Sequence, residues 1–182
     1  MTNMRSSALR FWAAPLLALA VLSGLDAARL MAKERINVDQ KIEALSDQET
    51  SQLQKQRGWV RDHYDPGARD RYETLEGKLA LLDTILRKNW VDRNETWKLQ
   101  SLGVTFGDAL AQELGLRWVA VEDQYGRDPA LHDEGTTIIV FPVTSISKRV
   151  ERGELVDVRR LFREACEGVA HARAQSSSSN TR

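Results

Sequence analysis

LRWVAVE, residues 116–122, and TTIIVFPV, residues 136–143, decide the fold class, because the chain changes its period there. Both runs are rich in β-branched and aromatic residues, which suit pleated, partly buried strands. They predict an antiparallel hairpin with a long loop, Asp123–Gly135, and Pro142 marks an exposed edge or the end of the second strand. Everything before Leu116 reads as helix. Ser46-x-x-Glu49 is a capping box opening a helix to about Tyr64, which Asp65-Pro66-Gly67 breaks. Asp70-x-x-Glu73 offers a cap for a second helix to about Asn89, with Tyr72, Leu75, Leu79, Leu82 and Leu86 on one face. Asn94 can cap a third, which carries Leu99, Leu102, Phe106, Leu110 and Leu114 and stops at Gly115. Gly103 and Gly107 in that helix predict the close approach of another helix backbone.

Beyond the hairpin the sequence predicts a short helix around Ser145–Glu151 and a possible third, edge strand at Glu154–Val156. An amphipathic helix capped by Asp157 follows, carrying Val158, Leu161, Phe162, Ala165, Val169 and Ala172. The expectation is one α+β domain over residues 45–173, preceded by a polar connector (29–44) and followed by a disordered Ser-rich tail (174–182).

Residues 1–28 read as a signal peptide or an N-terminal membrane anchor. Arg5 and Arg10 precede Phe11–Leu25, fifteen residues without a charge. At about 1.5 Å per residue that run covers roughly 22 Å of a hydrocarbon core about 30 Å thick, which favours cleavage over anchoring. The junction is a weak cleavage site, with Leu25 or Asp26 where a small residue is wanted, and a buried N-terminal helix is the third alternative. The expected location is the periplasm or the medium after cleavage, or the inner membrane with the domain outside the cytoplasm. Membrane contact is expected only through this segment.

The formal charge of zero over 182 residues hides this division. Residues 1–35 hold five basic and two acidic groups, and removing them leaves 21 against 24, a net charge of −3. A mildly acidic domain lacks the footprint that nucleic-acid binding requires. With 42% apolar and 29% charged residues, wholesale disorder and a polytopic membrane protein are also excluded. Cys166 is the one cysteine, so no intrachain disulfide forms, and it reads as a small buried hydrophobe.

The strings SLGVTFGDALAQELGLRWVAVEDQYGRDPAL and VFPVTSISKRVERGELVDVRRLF, within Ser101–Phe162, closely resemble the bacterial domain-of-unknown-function family 3806. LSDQE, QRGWV and LALLDTIL look like that family's helical lead-in, so the resemblance extends over roughly residues 45–169. It implies a small bacterial domain, often behind a leader or a helical extension, and brings no activity or catalytic residue with it.

The densest set of chemically able residues is Glu122, Asp123, Tyr125, Arg127, Asp128 and His132, with Asp133 and Glu134, at a strand end and in the long loop; Trp118 stands beside them. Loops on a rigid scaffold collect binding sites, and a connection of this length exceeds the usual hairpin. Three readings compete there. The acids and His132 form a site for a small hydrolase or a metal-dependent enzyme, or the loop binds a protein partner, or Arg127 pairs with an acid and merely fixes it. Phosphate-loop, dinucleotide, zinc-protease and Cys-x-x-Cys motifs are absent, so no cofactor, catalytic residue or metal ligand is assigned. The favoured expectation is an exported or membrane-tethered binding module using the 122–134 loop. A toxin-neutralising or purely structural domain is a further alternative. Ser147–Arg152 reads as a solvated basic face, and Trp59, Trp90 and Trp97 join Trp118 as large amphipathic rings.

Overall fold

The computed structural model describes residues 40–179; the leader segment, most of the connector and residues 180–182 lie outside the described residues. Helix α1 (Asp47–Arg61) begins where the capping box places it, the Glu49 amide bonding Ser46 Oγ at 3.2 Å and the Ser46 amide bonding Glu49 Oε2 at 2.7 Å. After the Pro66 break the chain runs as a 3-10 stretch, Pro66–Glu73, and not as α-helix from Asp70. Asp70 makes no capping bond. Thr74 caps instead, its hydroxyl accepting from the Gly77 amide at 3.0 Å, and α2 is Leu75–Arg87. Helix α3 (Thr96–Leu114) starts after Glu95 and ends at Gly115, whose φ of +70° is left-handed.

The sheet departs most from expectation. Strand β2 (Arg117–Asp123) turns through Gln124 and Tyr125 alone into β3 (Gly126–His132), so the supposed loop of Asp123–Gly135 is largely a strand. GRDPALH hides its strand because Gly, Asp and Pro are all depleted in sheets. Pro129 is tolerated because β4 (Ile139–Val140) pairs only with Leu131 and His132, leaving β3 an edge at that point. Only two residues of the 136–143 run enter the ladder. The edge strand expected at 154–156 does not form. The fourth strand is β1 (Lys41–Glu43), inside the stretch read as connector, and the order is β1-β2-β3-β4, all antiparallel. Three residues with a single apolar side chain give no period to detect.

Helix α4 (Ser147–Glu151) and the long α5 (Val158–Ser179) complete the fold, Asp157 Oδ1 accepting from the Arg160 amide at 2.9 Å as its cap. Helix α5 continues six residues into the expected disordered tail. Ser176 and Ser178 bond back to the carbonyls four residues earlier, at 3.0 and 2.9 Å, so the serines follow the helix instead of breaking it. Arg173 of α5 holds the β3–β4 turn, donating to both oxygens of Asp133 at 2.8 and 2.9 Å and to the Leu114 carbonyl at 2.7 Å.

Leu82, Ile85, Leu99, Leu102, Phe106 and Leu110 are wholly buried between α2, α3 and α5, and Phe106 meets Phe162 edge to face. Trp118 and Leu131 bring one face of the sheet onto this core. The close approach at Gly103 and Gly107 is real, but its partner is not a helix: a Cβ at Gly103 would lie 2.0 Å from the Val143 carbonyl oxygen, and one at Gly107 2.5 Å from the Trp118 ring.

Candidate functional site

Strand alternation divides the residues that the sequence groups together. Trp118, Glu122 and Arg127 share the helix-facing side of the sheet, and Asp123, Asp128 and His132 fall on the other. Asp123 Oδ1 accepts from the Tyr125 amide at 2.7 Å and His132 Nε2 donates to the Thr136 carbonyl at 2.9 Å, so both serve local turns. Glu122 thus lies across the sheet from Asp123, Asp128 and His132, so the four side chains do not converge on one acidic/His site. Among the described residues, no three His, Cys, Asp or Glu side chains gather to hold a metal ion.

Arg127 has the fixing role. Its guanidinium bonds Glu43, Glu49 (Nε to Oε1, 2.8 Å) and the Ala44 carbonyl (3.2 Å), with Glu122 at 3.7 Å. It thereby ties β3 to β1 and to the first turn of α1. The Arg127 bond lowers the Glu49 carboxyl from 4.5 to about 2; burial opposes this and the Ser46 bonds add to it. A folded value below the unfolded one stabilises above pH 4.5, and that contribution is lost as pH falls from there towards 2. Glu49→Gln is therefore expected to lower stability by about 1–2 kcal/mol at pH 7, discounted for solvent screening, and by clearly less at pH 3. Urea unfolding at the two pH values measures the difference, and an equal loss at both would contradict it.

Another polar cluster lines a cavity of about 370 Å³ between α1, the 3-10 stretch, α2 and α3. Arg57, Arg61 and Lys78 line it against Glu73 and Asp108, an excess of one positive charge, together with Tyr72 and Gln112. Arg57 and Asp108 form a two-pronged pair, Nε to Oδ2 and Nη2 to Oδ1, both at 2.7 Å. Asp108 Oδ1 also accepts from the Trp118 indole at 2.8 Å, and the guanidinium lies 5.9 Å from that ring's centroid. Tyr72 shares a 3.0 Å bond with Thr105.

Lys78 is only 6% exposed. Its ammonium donates to Gln112 Oε1 at 2.9 Å and the Glu73 carbonyl at 3.1 Å, and it sits over the Tyr72 ring. Two acceptors leave the third N–H without a partner among the described residues. Burial lowers the Lys78 pKa, with Asp108 and Glu73 opposing; burial also works against the Arg57 charge, but the Asp108 carboxylate outweighs it and raises that pKa. Burial raises the Tyr72 phenol, keeping it a neutral hydroxyl.

Spacing could not find this cavity, since Arg57, Lys78 and Asp108 come from three helices. A local signal existed all the same. Asp108 is the one charged residue from Leu99 to Gln112, and Lys78 stands directly against the apolar run Leu79–Leu82. A charge inside an apolar face needs a buried partner.

A second surface gathers three of the tryptophans. Trp59 meets Trp97 and His63 edge-on, at 6.1 and 4.6 Å between centroids, and His63 stacks on Trp90 at 5.6 Å. Trp90 and Trp97 remain half exposed. Cys166 is partly buried, with its thiol pushed up to about 11 by burial, which disfavours the nucleophilic thiolate.

Residues 78–162 match the model of the family described as Domain of unknown function (DUF3806). The match lies within the range over which the sequence strings resemble that family, and is shorter. A crystal structure of a Bacteroides thetaiotaomicron VPI-5482 protein at 1.50 Å resolution is similar in fold, with a TM-score of 0.57 and 15% identity. The similarity covers 74% of this chain and 50% of that one, so the chain spans half the length of that protein. No curated protein matches the chain.

Proposed function

We propose that the DUF3806 region and the helix before it form an exported or membrane-tethered binding module, and that its ligand presents a small anionic group to the cavity around Lys78. The observation that carries this reading is the part-buried Lys78 ammonium in the cavity wall, with an N–H that no described residue accepts. Keeping an ammonium out of water costs several kcal/mol unless its donors are satisfied, so a spare donor facing a cavity suits a carboxylate or phosphate oxygen. Arg61, exposed on the rim, adds attraction, while Tyr72 and Gln112 offer neutral hydrogen bonds. The cavity has no nucleophile and base pair, which favours binding over turnover.

Export rests on residues 1–35 of the sequence. No helix among the described residues is long and apolar enough to cross a membrane, so attachment would fall to the leader. A second reading keeps a protein contact at the hairpin tip. Tyr125 is 77% exposed on a turn that the Arg127 clamp holds rigid, the setting of an aromatic anchor.

Titration calorimetry with inorganic phosphate and with succinate tests the cavity. At least one should bind saturably at millimolar or lower concentration, with affinity reduced at least tenfold by Lys78→Met and severalfold by Arg61→Ala. Absence of binding by both probes, or unchanged affinity in folded Lys78→Met, would refute the reading.

A further inference from the structure

The sheet has a second apolar face. Ile42, Val119, Val121, Ala130, Ile139 and Phe141 form a cluster separate from the main core, built of sheet residues and Phe141, with no helix side chain of the described residues joining it. Strand alternation places Ile42, Val119, Val121 and Ala130 opposite Trp118, on the outward side. Even so, Val121, Ala130 and Ile139 are only 2%, 0% and 3% exposed. Side chains standing on the open side of a single-layer sheet cannot shield one another to that degree, an alanine least of all.

We infer that this face is the seat of the chain's own segment Arg29–Asp39, lying between the leader and β1. Three observations favour that occupant over a second copy or a lipid surface. The segment runs straight into β1, and Ile42 of β1 belongs to the cluster. It carries Leu30, Met31, Ile36 and Val38, four apolar residues within a polar stretch. Gln40, two residues before Ile42, has a buried side-chain oxygen with no partner among the described residues, an acceptor left open next to β1. Arg29, Lys33, Arg35 and Asn37 supply donors nearby. Reach is sufficient, since four strands span about 14 Å and ten extended residues about 33 Å.

The segment is thus a structural part of the domain, whether the leader is removed or kept. Limited trypsin digestion of the full-length chain tests this, because Arg29, Lys33 and Arg35 are cleavage sites. Cleavage there should be at least tenfold slower than in the Leu30→Asp/Ile36→Asp variant. As an independent readout, photoreactive benzoylphenylalanine in place of Phe141, or separately of Val119, should cross-link within residues 29–39. Equal cleavage rates, or cross-links to a second chain, to lipid or to residues 11–25, overturn the inference. So does the absence of cross-links from both positions when circular dichroism shows the native fold.

Discussion

Asp108→Ala is expected to destabilise the domain by about 3–5 kcal/mol, a large share of the roughly 5–15 kcal/mol that keeps an ordinary domain folded. Asp108 is the shared acceptor of its region. Its loss leaves the Arg57 guanidinium, only 20% exposed in its side chain, without its carboxylate, and the Trp118 indole without an acceptor. The cost therefore comes from stranding a buried charge, more than from the attraction of the pair itself. That distinction has its own test. Arg57→Met/Asp108→Leu replaces both ions by apolar groups and should recover most of the loss, standing within about 2 kcal/mol of the wild type, because buried pairs seldom outperform well-packed hydrophobes. Urea unfolding of the single and double variants gives both numbers. A single-variant cost under 1 kcal/mol would mean that water reaches Arg57 freely and that the cavity is wetter than its packing indicates. Equal losses in single and double variants would place the cost in packing.

The helices were legible in the sequence because each carries its own signals: a capping Ser46, a breaking Pro66, a terminating Gly115, and apolar residues three and four apart. Their ends moved where two caps competed, as Thr74 displaced Asp70. Strand β3 was illegible for a physical reason. Its stability comes from seven cross-strand pairings with β2 and not from its own residues, which are poor strand formers. Tertiary pairing overrides propensity there, and it divides the group that a long loop would hold together, setting Glu122 across the sheet from His132. Pairing of Arg127 with an acid is one of the readings the sequence offers, but its partners Glu43 and Glu49 lie 84 and 78 positions away, outside the loop, and no spacing rule connects them. The cavity was missed because its three charges are distant in the chain, yet each lies where an amphipathic helix should be apolar or half-buried.

Gly103→Ala should also be costly, by about 2–3 kcal/mol net, even though alanine is the better helix former by about 1 kcal/mol. The methyl would be placed 2.0 Å from the Val143 oxygen, 2.6 Å from its carbonyl carbon and 2.8 Å from its Cα, all of them backbone atoms. A flexible side chain would swing aside; this segment cannot. Pro142 precedes Val143, and the turn after it is closed by the Ser145 amide and hydroxyl on the Pro142 carbonyl, at 3.0 and 2.7 Å. Moving Val143 would disturb Ile146, which is fully buried two residues into that turn. Gly58→Ala in α1 supplies the control, because nothing lies within 4 Å of its added methyl and only the propensity gain of about 0.5–1 kcal/mol remains. The two substitutions are chemically identical and both lie inside helices, so the sign of their difference isolates the contact with Val143. Thermal melts in which Gly103→Ala matches or exceeds the wild type would show that the 141–147 segment yields, and the rigid seat that α3 offers the sheet, through Gly103 and through Gly107 beneath Trp118, would have to be abandoned.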